Sequence, residues 1–135
     1  MAKLVLKDAY VLFGTYDISD HVASVTLQST LDVVETTAMG STAKTRVAGL
    51  ADNSLTLELH QDFAAGSIEA AVYPTIGTAV TILIKPVNAA VTATNPSYSV
   101  SALITEWTMI DGTTGVLATA KVTWPISGPI TKATS

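Results

Sequence analysis

Cysteine is absent from the 135 residues, which removes disulfide scaffolds, thiolate nucleophiles and cysteine-ligated zinc together. Charge is scarce as well: Asp, Glu, Lys and Arg make up 13% of the chain, about half the share of an ordinary soluble domain. The exterior must therefore be built largely from Thr, Ser, Ala and Asn, a surface suited to burial against other subunits. Seven cations stand against eleven acids for a net charge of −4, which argues against a protein that grips phosphates. No apolar run approaches the roughly 20 residues of a membrane-spanning helix. The opening "MAKLVLKDAYVLFG" is broken by Lys7 and Asp8 before it reaches signal-peptide length. The expectation is a protein made and folded in a cytoplasm. Missing too are G-x-S-x-G, the Walker loop, G-x-G-x-x-G and H-E-x-x-H.

What the chain has is apolar material, 48% of its residues, arranged with a period of two. That length and content suit one domain, residues 1–135, with a sizeable core. Ala9 to Phe13 is a short apolar run, "GTYD" a turn and "ISDHV" a connector. From Ala23 to Thr37, Val25 and Leu27 oppose Ser24, Thr26 and Gln28. "SLTLELHQ" is the cleanest strand, with Leu55, Leu57 and Leu59 against Thr56, Glu58 and His60. "TAVTILIKP" reads as an inner strand, or one beneath the helix. Tyr98 to Ile110 reads as one strand whose apolar phase shifts partway, the mark of a β-bulge. "VLATAKVTW" closes the set, and residues 125–135, "PISGPITKATS", are expected to leave the sheet as a tail.

The single helical candidate is "GSIEAAVYPTIG", capped by Ser67, with Ile68 and Val72 one turn apart and Pro74 ending it. Six or seven strands and one short helix predict a mainly β domain, an antiparallel β-sandwich or barrel with the helix packed at one side. Residues 38–52 read as a long inter-strand loop of small, polar and cationic residues.

Chemistry is thinly represented. Asp17, Asp20 and His21 in "DISDH" have hard-metal donors, but Asx turns use the same residues to satisfy backbone N–H groups, and that reading is favoured. His60 beside Glu58 is the minimum for a general base, without a nucleophile in any recognised setting. Trp107, Trp124 and the tyrosines could make a sugar-stacking platform, yet Trp124 and Tyr98 fall in phase with the apolar face. Neither an enzyme nor a cofactor or metal site is expected.

Taken in order, "ISDHV" before a strand, "TTAMG" with a basic loop, "GL" before an alternating strand ending "HQDFAAG", then "YPTIGT", "KP" and "ATNPSYS" resemble the major tail tube proteins of long-tailed double-stranded DNA bacteriophages. The resemblance runs from about Leu4 to Trp124, and the order of short motifs carries it. It implies a small β-barrel or sandwich flanked by a helix, sixfold rings of that subunit, and rings stacked into a hollow virion tail tube that delivers the genome. Partners would be further copies of the chain, with tape-measure, tail-terminator and tail-tip proteins, and duplex DNA passing without specific binding.

In similar proteins a loop at the place of 38–52 makes inter-ring contacts. Here Met39 and Leu50 would be apolar anchors, Gly40 and Gly49 the bends, and Lys44 and Arg46 would meet acids on a neighbouring subunit, with Thr42 also part of this assembly loop. A conduit for DNA must avoid basic stickiness, so the polar face through Thr56, Glu58 and His60, with Thr119 and Thr123, is the candidate bore lining. Lys121 on that face counts against a purely acidic lining. Two other readings stand beside this one: a tail-terminator or tail-adaptor ring protein, and a β-sandwich carbohydrate-binding module.

Overall fold

The computed structural model describes residues 5, 7–63 and 68–134. Alternating apolar residues make strands β1 (Tyr10–Phe13), β2 (Tyr16–Asp17), β3 (Val22–Glu35), β4 (Arg46–His60), β5 (Ala79–Lys85), β6 (Ser97–Leu103), β7 (Thr119–Pro125) and β8 (Thr131–Ala133), with helix α1 (Ile68–Val72) between β4 and β5. They form two open antiparallel sheets, ordered β2-β1-β5-β6-β8 and β3-β4-β7. The fold is thus the expected mainly β sandwich with one short helix, and not a closed barrel.

The sheets face each other through one core. Val11 and Phe13 of β1, Ile82 and Ile84 of β5 and Val100 and Ala102 of β6 meet Leu55, Leu57 and Leu59 of β4 and Ala120, Val122 and Trp124 of β7. Period two delivers every one of these inward, which is why the polar partners in "SLTLELH" share the opposite face. β5 lies centrally in its sheet, as an inner strand should. Ile68, Ala71 and Val72 of α1 are buried against this core, and Pro74 follows in a 3-10 turn over Tyr73–Thr75. The Ser67 cap lies outside the described residues.

Three expectations need correction. Tyr98 to Ile110 is not one bulged strand: β6 stops at Leu103. The Ile104 backbone then bonds to Gly77 and Thr78, and the chain turns across the end of the sandwich so that Trp107 is buried there. Glu106 fixes this crossing, accepting from the Thr123 amide at 2.7 Å and, through its carbonyl, from the Trp124 indole at 2.8 Å. The phase shift in the sequence is therefore a strand end. "VLATAKVTW" becomes strand only from Thr119, which faces His60 where β4 ends.

Residues 125–135 do not leave the sheets. The Ile126 amide bonds to the Asn53 carbonyl, Ser127 to Ser101, and β8 pairs with β6. Pro125 is tolerated because it ends β7, whose outer edge has no partner strand among the described residues. The segment crosses from one sheet to the other and ties them together.

The third correction concerns residues 38–52. β3 and β4 stay paired out to Glu35 and Arg46, so only residues 36–45 are connection, and residues 46–52 are strand. β7 covers β4 only from Ser54 to His60. From Asn53 outward β3 and β4 form a two-stranded ribbon, which at about 3.4 Å per residue projects roughly 25 Å past the sandwich. Val33 and Val34 are β-branched and favour strand in β3, and pairing with β3 holds the Ala- and Gly-containing start of β4 extended. What misleads is that the ribbon's apolar residues have no core to face.

Candidate assembly surfaces

The ribbon is built from alternating residues whose two faces are both exposed. Leu31, Val33 and Val34 of β3 and Val47 and Leu50 of β4 stand in solvent, Leu50 at 83% and Met39 at the tip at 103% exposure. Gly40, at φ 88°, turns the chain, and the Ser41 amide bonds to the Ala38 carbonyl. The tip satisfies its own polar groups: Thr36 and Thr45 share a hydroxyl contact at 2.8 Å, and the Thr45 amide donates to the Thr37 hydroxyl at 2.9 Å. Thr42 and Lys44 lie in this exposed connection. Arg46, Gly49 and Leu50 are instead residues of β4.

A bulge bends the ribbon. Leu31 faces Ala51 while Val33 faces Ala48, so Gly49 and Leu50 oppose Asp32 alone. A Cβ on Gly49 would lie 3.2 Å from the Asp32 Cβ and 3.3 Å from a Val34 methyl, a close approach of the strands that a larger residue would push apart by a few tenths of an ångström.

Lys44 reaches Glu35 within the same ribbon, Nζ to Oε1 at 3.8 Å with both side chains exposed. In the free subunit, then, this cation has an intramolecular partner, and the pair contributes little to stability in that setting. Arg46 faces Glu35 in the strand register.

The five candidate lining residues do share one surface. Across β3, β4 and β7 the outward rows read Thr26, Thr56 and Thr123, then Ser24, Glu58 and Lys121, then His60 and Thr119. The Thr56 and Thr123 hydroxyls lie 3.2 Å apart. One acid and one cation side by side make the face polar and close to neutral rather than acidic.

The weaker candidates have structural work. Asp17 Oδ1 accepts from the Ser19 amide and hydroxyl at 3.0 and 2.6 Å, an Asx turn at the connector. His21 Nε2 lies 2.9 Å from Asp62 Oδ2, joining that connector to the chain beyond β4. Trp124 packs against Phe13 with ring centroids 5.7 Å apart, and both tryptophans are buried, so neither can serve a sugar-stacking platform, while Tyr16 and Tyr73 are exposed.

Two features escaped the sequence. Asn95 organises the segment between β5 and β6, donating to the carbonyls of Val87, Ala89 and Ala90 and accepting from the Val87 amide. Asn-Pro in "ATNPS" was its only signal. Between β6 and β7, Met109, Ile110, Val116 and Leu117 are exposed, on a segment held by Gln61, whose side chain bonds to Thr108 and Asp111 and whose amide bonds to Ala118. A cleft of about 440 Å³, lined by Val25, Leu27, Ile84, Pro86, Tyr98 and Ile130, opens at the base of the ribbon.

No protein-family model matches the chain, and no curated protein matches its sequence. Solved structures do. A chain in the virion of a native gene transfer agent particle is 12% identical with a TM-score of 0.75, covering 97% of this chain and 99% of that one. A chain of the PVC sheath-tube complex of an extracellular contractile injection system, in its extended state, is 16% identical with a TM-score of 0.72, covering 98% and 93%. A chain in the tail of an empty gene transfer agent particle, refined with helical C6 symmetry, is 12% identical with a TM-score of 0.62, covering 82% and 81%. The fold of this chain is therefore the one found in subunits of phage-like tail assemblies, over nearly its whole length.

Proposed function

We propose that this chain is a structural virion protein, a tail tube subunit whose copies form six-membered rings stacked into the hollow tube that delivers a phage genome into the host. The observation that carries this reading is the β3–β4 ribbon. A two-stranded hairpin without a third strand or a core beneath it is marginal in water, and exposed apolar residues on both its faces mark a surface that is buried elsewhere. Contacts with other subunits offset the entropy of holding it in place. The fold shared with tail and sheath-tube assemblies, one of them of C6 symmetry, supports the same reading.

In such a tube the Thr-rich outer face of β3, β4 and β7 lines the bore. Duplex DNA carries a charge about every 1.7 Å, and a lining of Thr, Ser and one compensated Glu–Lys row offers it neither a sink nor a strong barrier. Partners are further copies of the chain, with tape-measure, tail-terminator and tail-tip proteins at the ends. The protein is assembled in the host cytoplasm and resides in the virion tail. Negative-stain microscopy of the purified chain at rising concentration tests this: rings and tubes are expected, and a monomer at every concentration overturns it. Rings that never stack would favour the tail-terminator or adaptor reading.

A further inference from the structure

β4 has two ends, and each carries exposed apolar residues. At the Arg46 end is the ribbon tip with Met39. At the His60 end is the segment that Gln61 holds, presenting Met109, Ile110, Val116 and Leu117, with Ile110 at 83% exposure. Fourteen steps of about 3.4 Å separate these ends by 45–50 Å, roughly. They differ in charge as well. The tip has Lys44 and Arg46 against Glu35. The far end gathers Asp111, Asp62 and Glu69, whose amide bonds to the Asp62 carbonyl; Asp62 is held by His21, and the cation closest along the strands, Lys121, lies on the polar outer face beside Glu58.

From this we infer that the Met109–Leu117 segment is the receiving surface for the ribbon tip of the next subunit, Met39 seating among Ile110, Val116 and Leu117 while Lys44 and Arg46 approach Asp111 and Glu69. The inference rests on the tail tube reading and gives it a polarity. Apolar meets apolar and cation meets acid only when the tip of one copy meets the far end of another. Two unlike surfaces at opposite ends of one strand make a heterologous contact, which unless its rotation closes it into a ring repeats as a stack along the strand direction. Two tips facing each other would set like charges together instead.

The chain has no cysteine, so introduced thiols are unique. The double variant Met39→Cys, Ile110→Cys, assembled and treated with a short bismaleimide, is expected to give a ladder of covalent multimers, while each single variant stays at one chain. Ile110→Asp, at a solvent-exposed position, is expected to leave the thermal midpoint unchanged and to raise the concentration needed for tubes at least tenfold. Asp111→Lys raises it several-fold, and adding Arg46→Glu lowers it again. Tubes of the double variant without a ladder, a ladder from Met39→Cys with Tyr98→Cys in the basal cleft instead, or normal stacking of Ile110→Asp overturns the inference while leaving the tail tube reading intact. Failure of the unaltered chain to assemble removes both.

Discussion

Replacing Leu31–Ala51 by Asn-Gly separates what the ribbon does for the fold from what it does for assembly. The graft point is set by the register, because Thr30 faces Asp52, and Asn-Gly closes such a pair as a type I′ turn. No residue of the excised segment belongs to the core cluster. Asn53 stays, with its side chain on the Gly128 carbonyl at 3.1 Å. The lost contacts are those of the ribbon with itself, and a lone hairpin contributes close to nothing net. Closing about 20 residues costs some three doublings of loop length more than closing two, at about 0.6 kcal/mol each.

The shortened chain is therefore expected to be as stable as the original or more so by up to about 2 kcal/mol, a rise in Tm of several degrees for a domain of this size. Urea unfolding followed by Trp124 and Trp107 fluorescence measures it, since both indoles sit in the sandwich. Assembly should vanish in the same protein. A loss of more than about 2 kcal/mol would show the ribbon to be an integral part of the domain, and tubes from the shortened chain would refute its role between subunits; the midpoint comparison rests on an unchanged slope.

Three more perturbations follow the same logic. Lys44→Glu with Arg46→Glu should leave the unfolding midpoint within about 0.5 kcal/mol, since the Lys44–Glu35 pair is exposed, but weaken stacking as seen by microscopy; unchanged stacking would reject the basic tip as a contact. Thr56→Lys with Thr123→Lys adds cations to the outer sheet face, and tubes of that variant should hold nuclease-protected duplex DNA at low salt and release it as salt rises, by orders of magnitude between about 50 and 200 mM. Tubes that protect no DNA would mean that the face does not line the bore. Trp124→Ala removes a fully buried indole, its contact with Phe13 and its bond to the Glu106 carbonyl, and should cost about 3–5 kcal/mol in a denaturant titration. A cost below about 1 kcal/mol would contradict the packing described.

The sandwich was legible because its strands obey single-chain rules. Leu55, Leu57 and Leu59 alternate with Thr56, Glu58 and His60, and the structure buries one set and leaves the other half-exposed, so the face shared by Thr56, Glu58 and His60 followed from parity, and the register of β7 adds Thr119 and Thr123 to it. Parity failed where contacts beyond the strand decide. Glu106 and the buried Trp107 end β6 at a place where the pattern continues. Asn53 and Ser101 capture a proline-rich segment that composition releases.

The ribbon is the deeper case. Val33, Val34, Val47 and Leu50 have strand-forming side chains but no core in their own subunit, so a reading that looks for one buried face sees a loop. Met109, Ile110, Val116 and Leu117 show the converse, apolar residues whose pattern predicts strand on either side of the Asp111–Gly115 turn and which stand exposed. Both failures have one physical origin. Period two predicts burial only when the partner surface belongs to the same chain, and a residue whose partner is another copy keeps its hydrophobicity and loses its visible partner. The two segments where pattern and exposure disagree most are thus the two that a repeating contact between copies would cover, and their positions at opposite ends of β4 give that contact its direction.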